Sequence, residues 1–193
     1  MSHAATPAFE HPQPDNSVLL LVDVQGKLAR LMHESQAMIV QQKLLIEACQ
    51  VLSIPIVWAE QLPDKLGSTV EALQAVLTDH QPIIKSSFGC CQNPELMAAI
   101  EKQAPKHILL AGIEAHVCVW QTAASLVARG FSVHAIEDAI SARQANNKHV
   151  GLTRMRQAGV KTSCVEMVLF ELMGGATHPQ FRTISGLIKA ASA

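Results

Sequence analysis

Asp23, Lys85 and Cys118 are the residues whose types and surroundings could do covalent chemistry in this chain. Cys118 closes the stretch Gly-Ile-Glu-Ala-His-Val-Cys that starts at Gly112. There an apolar run from Lys106 ends in a tight bend, and the residues that follow, up to Gly130, carry apolar positions at helical spacing. A thiol so placed sits near a helix N-terminus, where unpaired N–H groups and the positive end of the helix dipole favour thiolate and could hold a developing oxyanion. A lone free cysteine is more often a small buried hydrophobe, so the thiol needs a base and a charge partner from other strands to count as a nucleophile. Asp23 closes Ser-Val-Leu-Leu-Leu-Val-Asp. A carboxylate at the mouth of a buried strand is partly desolvated and raised in pKa, which suits a general base; its structural alternative is to cap the following loop. Lys85 closes Pro-Ile-Ile-Lys, where it either pairs with Asp23 and steadies a thiolate or ends the strand as a solvated cation.

Three such residues at the ends of three apolar runs require elements that bring those ends together. Apolar runs of strand type begin near Ser17, Ile54, Pro82, His107, Phe131 and Val160. They alternate with helical patterns near Ser35 to Leu52, Val70 to Leu77, Pro94 to Gln103, the segment after Cys118, Asn147 to Gln157, Val165 to Met173 and Pro179 to Ala190. Near-continuous apolar strands separated by helices predict an α/β fold: a three-layer, doubly wound domain with a six-stranded parallel sheet and helices on both faces. Chemistry in such a sheet collects beyond the carboxyl ends of the strands, near a reversal of strand order. The strand ends to inspect are therefore Asp23, Glu60, Lys85, Glu114 and the pair Glu137 and Asp138. Residues 1–16, rich in Pro, His and Ala without periodicity, read as a mobile N-terminal arm, and residues 17–193 as the domain.

Composition narrows the class. Of 193 residues, 49% are hydrophobic and 16% charged, as in a globular protein, and the apolar runs fall far short of the roughly 20 residues a spanning helix needs. A formal net charge of −1 without a basic block gives no footprint for nucleic acid or an anionic membrane, so a small-molecule substrate is expected. Five cysteines, an odd set lacking zinc-ligand spacing, predict free thiols in a reducing, cytoplasmic setting. Neither a glycine-rich phosphate loop nor a dinucleotide fingerprint occurs, and no cofactor is expected.

Val-Asp-Val-Gln around Asp23, Lys-Ser-Ser-Phe from Lys85 and Gly-Ile-Glu-Ala-His-Val-Cys, in this order and spacing, resemble the isochorismatase-like cysteine hydrolases, also called the nicotinamidase superfamily. Ala-Glu-Gln at Ala59 to Gln61, Arg-Met-Arg-Gln from Arg154 and His-Pro-Gln-Phe from His178 point to the branch of isochorismatase domain-containing proteins. The resemblance implies a Cys118–Asp23–Lys85 triad, a thioester intermediate, a cis peptide after Ile113, and an oxyanion hole made by the backbone N–H groups of Glu114 and Cys118. It also implies a homo-oligomer, to which apolar residues of the C-terminal helices such as Leu169, Phe170, Phe181 and Leu187 lend themselves, unless they are core.

Three departures sharpen what is implied. True isochorismatases place Gly at the position of Cys118, which argues against isochorismate as substrate. Metal-dependent relatives carry Asp-x-His after the second strand, where this chain has Trp-Ala-Glu-Gln-Leu-Pro-Asp-Lys-Leu-Gly-Ser, so no metal is expected. Ala115 stands where many amidase relatives have Thr, beside Glu114, which could accept a substrate N–H or face solvent. Gln25, Glu60, Phe88 and Glu114 are the candidate pocket residues. His116 is read as a supporting residue, His107 and His134 as core or surface spacers, and Cys90 and Cys91 as free thiols. The expected activity is metal-independent hydrolysis of a small amide or carbamoyl C–N bond; the alternative is an interaction or scaffold protein that keeps the fold without the activity.

Overall fold

The structure, a computed structural model, describes residues 10–192. Strands β1 (Ser17–Val22), β2 (Ile56–Gln61), β3 (Ile83–Lys85), β4 (His107–Ile113), β5 (Ser132–Ser141) and β6 (Lys161–Ser163) form one sheet in the order β3-β2-β1-β4-β5-β6. All its pairings are parallel. The order reverses between β1 and β4, which run side by side from Ser17 opposite His107 to Val22 opposite Gly112. That reversal opens the crevice into which doubly wound sheets place their chemistry.

Each central strand is buried on both faces, and alternation divides its side chains between two cores. Leu19 and Leu21 join Trp58, Leu109 and Ala111 under helices α2 (Ser35–Val51), α4 (Glu71–Gln74), α8 (Val165–Met173) and α9 (Phe181–Ala191). Val18, Leu20 and Val22 join Val57, Ala59, Ile108 and Leu110 under α5 (Pro94–Glu101), α6 (Trp120–Ala128) and α7 (Ala145–Gln157). Two short helices, α1 (Gly26–Arg30) and α3 (Pro63–Leu66), lie in the connections after β1 and β2 and have too few residues to show a period in the sequence. At the start of α5 the Asn93 side chain accepts from the Leu96 N–H at 3.0 Å with Pro94 as first residue, a pairing that starts a helix cleanly.

Two expectations change. Strand β5 does not end at Glu137 and Asp138: Leu110 pairs with Ala135 but Gly112 with Ile140, so these acids lie in an irregular bulge and the strand runs on to Ser141. Asp138 then accepts the Val165 N–H at 2.9 Å at the start of α8, and Glu137 pairs with Arg156. The arm read as mobile from 1 to 16 is docked over its described part. Pro12 is buried, Glu10 pairs with Lys106 and His11 with Glu171, and the Lys106 N–H donates to the Asn16 carbonyl at 2.8 Å. The rest of that arm lies outside the described residues. Of the apolar residues read as interface candidates, Leu169 is core, Phe181 and Leu187 pack against it, and Phe170 is partly exposed.

Candidate active site

The chain delivers the three candidate residues through three unlike devices. Asp23 leaves β1 with φ of 55°, a left-handed conformation uncommon outside glycine, and turns its carboxylate into the crevice while its N–H still donates to the Ala59 carbonyl at 3.1 Å. Lys85 ends β3 fully buried, and its Nζ has four acceptors: Asp23 Oδ2 at 2.6 Å, the carbonyls of Ser87 at 3.0 Å and Phe88 at 3.1 Å, and Gln61 Oε1 at 3.2 Å. Such saturation is what permits an ammonium in an interior. Cys118 lies in a π-helical turn, Ala115–Val119, closed by the Val119 N–H on the Glu114 carbonyl at 3.3 Å just before α6. Widened turns of this kind recur at functional sites.

Gly112 makes the approach of β4 to β1 possible. It has φ of 128°, and a Cβ there would stand 2.1 Å from the Val22 carbonyl oxygen. The peptide between Ile113 and Glu114 is cis. Gly151, in the middle of α7, is needed on the other side of the bend: a Cβ there would lie 2.7 Å from the Ala115 carbonyl carbon and 2.8 Å from the His116 nitrogen. Thr122 joins Cys118 to the lysine loop, its Oγ1 donating to the Cys118 carbonyl at 2.7 Å and accepting the Cys90 N–H at 3.0 Å.

The electrostatics differ from the expected dipole-activated thiolate. Burial and the adjacent Asp23 carboxylate raise the Cys118 pKa well above the ordinary thiol value, with Lys85 acting the other way. At rest it is a neutral thiol, and its Sγ donates to Gln61 Oε1 at 3.4 Å. Burial likewise raises Asp23, although Lys85 opposes it by charge and by hydrogen bond. Asp23 Oδ1 is buried and makes no hydrogen bond of good geometry, yet the carboxylate is close enough to Cys118 for each to shift the other. One carboxylate oxygen is thus held by lysine while the other stands ready to accept a proton. Cys90 and Cys91 are buried free thiols, and burial pushes Cys90 up to about 12.

The expected pocket residues fare differently. Gln25 is buried and spent on the loop after β2, donating to the Gly67 carbonyl at 2.7 Å and the Gln61 carbonyl at 3.1 Å while accepting the Gln61 N–H at 2.7 Å. Glu60 faces the other side of the sheet, where it accepts the Thr69 N–H at 2.6 Å. Glu114 neither faces solvent nor stands free: its carboxylate takes the Arg143 backbone N–H at 3.0 Å and the Arg143 Nε–H at 3.2 Å. Phe88 is 52% exposed and contributes its carbonyl to Lys85. Gln61, Thr122 and Arg143 are the additions. Gln61 lay beyond the sequence, because paired residues in parallel strands share a face and only the register of the folded sheet pairs Gln61 with Lys85 and Glu60 with Ile84. A metal does not fit this donor set: the carboxylate of Glu60 points away, and among the described residues no three His, Cys, Asp or Glu side chains cluster.

The family model described as Isochorismatase domain matches residues 17–167. The chain belongs to the isochorismatase family. This isochorismatase-family chain is 36% identical over 190 residues to isochorismatase domain-containing protein 2 of Bos taurus, an alignment covering 98% of this chain and 91% of that one. The solved structure of the MAR1 ribonuclease from Caenorhabditis elegans superposes with a TM-score of 0.88 at 36% identity and 93% coverage of both chains. The YcaC gene product of Escherichia coli, described as an octameric hydrolase of unknown specificity, superposes with a TM-score of 0.85 at 22% identity, covering 96% of this chain and 99% of that one. The six-stranded parallel α/β fold is thus that of isochorismatase-like structures.

Proposed function

We propose that this protein is a metal-independent cysteine hydrolase of a small amide or carbamoyl compound, with Cys118 as nucleophile, Asp23 as base and Lys85 as the cation that positions Asp23. The observation that carries this reading is the split carboxylate: Lys85 Nζ holds Asp23 Oδ2 at 2.6 Å, while buried Oδ1 is left beside the thiol. Asp23 takes the thiol proton as sulfur bonds to the substrate carbonyl carbon, and the backbone N–H groups of Glu114 and Cys118 receive the oxyanion. The C–N bond then breaks, the amine leaves with the proton from Asp23, and water cleaves the thioester to release the acid and restore the thiol. A raised thiol pKa agrees with proton transfer during attack rather than a standing thiolate, which would be stabilised less by this buried setting. Cys118 in place of glycine favours C–N cleavage over opening of the isochorismate vinyl ether.

The substrate is a small neutral molecule, the protein acts in the cytoplasm, and it works as a homo-oligomer. The five free thiols support a reducing compartment, and the octameric state described for YcaC supports assembly. Among the described residues no helix is long and apolar enough to cross a membrane. A net charge of −1 argues against RNA as the substrate, despite the ribonuclease name of the worm relative. The test is a screen of small amides and carbamoyl compounds with RNA in parallel. Turnover of an amide, an acyl adduct on Cys118 by mass spectrometry and loss of both in Cys118→Ala is the expected result. Turnover that persists in Cys118→Ala would overturn the mechanism, and no turnover of any amide would favour a scaffold role. Size-exclusion chromatography with light scattering checks the assembly.

A further inference from the structure

The bulge in β5 decides which residue meets Glu114. Two steps along β4, from Leu110 to Gly112, match five along β5, from Ala135 to Ile140, so β5 carries extra residues before Ile113 pairs with Ser141. The helices of one layer hold this surplus in place. Gln42 of α2, itself fully buried, donates to the Ala139 carbonyl at 2.9 Å, and Asp138 accepts the Val165 N–H at 2.9 Å. Past the bulge the strand is tied down again: Ser141 Oγ donates to the His33 carbonyl at 2.7 Å, and the His33 N–H donates to the Ala142 carbonyl at 2.9 Å. A β5 that kept its first register would set Ala139 beside Glu114. The observed register brings Arg143 there instead.

Glu114 is gripped at both ends. Its carbonyl accepts the Val117 N–H at 3.0 Å and the Val119 N–H at 3.3 Å, in the turn that carries Cys118. Its buried carboxylate accepts the Arg143 backbone N–H on Oε2 at 3.0 Å and the Arg143 Nε–H on both oxygens at 3.2 Å. Hydrogen bonds to a carboxylate from a guanidinium are of the strong, direction-setting kind. The Arg143 side chain is nevertheless 58% exposed, and an ion pair with one partner in water contributes little to stability. The contact therefore matters chiefly for the backbone it holds still.

We propose that Arg143 is a positioning residue for the oxyanion hole: through the Glu114 carboxylate it fixes the direction of the Glu114 N–H at the carbonyl that Cys118 attacks. This rests on the hydrolase reading above, in which the N–H groups of Glu114 and Cys118 receive the oxyanion. A donor stabilises an oxyanion by being aimed before the charge develops, so one left free to turn loses most of its effect. Arg143 acts without touching substrate. The surplus residues of β5 bring it to Glu114.

Two reactions of one thiol test the role in the full chain. Acylation of Cys118 by p-nitrophenyl acetate passes through a tetrahedral oxyanion, whereas methylation by iodomethane forms none. Both rates are read on the Cys118 peptide by mass spectrometry. Glu114→Ala should slow acylation about 100-fold, and Arg143→Ala, which keeps the backbone N–H contact, about tenfold, with methylation unchanged in both. The double variant should be no slower than Glu114→Ala alone, because the two residues act through one contact. Acylation and methylation falling together would mean general loosening, and undiminished acylation or additive losses would mean a bend held by other contacts; each overturns the role of Arg143. The hydrolase reading has its own readout. Wild-type Cys118 acylated no faster than in Asp23→Asn would defeat the assignment of nucleophile and base, and the positioning role with it.

Discussion

At the residue scale, the buried ion pair between Lys85 and Asp23 contributes to stability and, in the proposed mechanism, positions the base. Lys85→Met leaves a carboxylate buried without its cation, a change that typically costs about 3–5 kcal/mol. Urea unfolding near neutral pH should show that loss, and acidification should recover part of it as Asp23 protonates. Asp23→Asn keeps the shape but removes the proton acceptor, and kcat should fall about 10²- to 10⁴-fold, the usual worth of a positioned base. Because burial raises Asp23 above the ordinary carboxylate value, kcat/KM in the wild type should climb with pH through a limb displaced upward from that value as the base ionises. An acidic limb lying at or below the ordinary aspartate range would contradict a desolvated base. Gln61 and Glu60 offer a paired comparison: Gln61→Ala should lower kcat by loosening Lys85 and the thiol, whereas Glu60→Gln, which touches neither, should spare kcat at its plateau and move the acidic limb down as one of the charges that raise Asp23 is lost.

At the scale of elements, the site is a contact between the bend after β4 and the middle of α7. A glycine inside a helix costs about 0.5–1 kcal/mol relative to alanine, so Gly151→Ala should strengthen α7 as an isolated helix. In the folded chain the new methyl would meet backbone atoms of Ala115 and His116 rather than flexible side chains. The bend that carries the Glu114 and Cys118 N–H groups has to shift, and misplacement by about 1 Å can cost 10²-fold in rate. Kinetics on the variant should therefore show a fall in kcat with little change in KM. Equal losses in both, tracking a loss of thermal stability, would mean general loosening instead. Thr122→Val, which deletes the link between the Cys118 carbonyl and the Cys90 N–H, should act in the same direction more weakly.

For the whole molecule, acid stability depends on a buried pair at the end of the sheet opposite Cys118, His107 and His134, whose Nδ1 and Nε2 lie 2.9 Å apart. The folded state holds His134 at about 4 against 6.5 for the free group, so the unfolded chain binds more protons between those values. That contribution is present above pH 6.5 and lost as pH falls toward 4, to a total of roughly 3 kcal/mol. Asp23 and Asp138, both raised by burial, have the opposite sign, since acidification relieves their desolvation. Comparing wild type with a His107→Leu/His134→Leu double variant cancels the carboxyl contribution. The difference in urea stability between pH 7 and pH 4 should shrink in the double variant; equal pH dependence would show that the pair is not kept neutral by the fold.

Much of this was legible before folding. Apolar runs and helical spacing determined the parallel α/β sheet, because strands covered on both faces must be apolar throughout, and Asp23, Lys85 and Cys118 stood out as polar residues at the ends of such runs. Their order and spacing also carried the family. What the sequence could not decide depends on register and on neighbours far along the chain. Side chains alternate across a strand, so a one-residue difference puts Gln61 beside Lys85 and Glu60 on the opposite face, and the pairing of β2 with β3 alone makes that choice. The end of β5 lay beyond prediction because its bulge forms against β4. The resting state of Cys118 followed the same rule: a helix terminus in the sequence promised a thiolate, but only the packed structure brings burial and the Asp23 charge close enough to outweigh it.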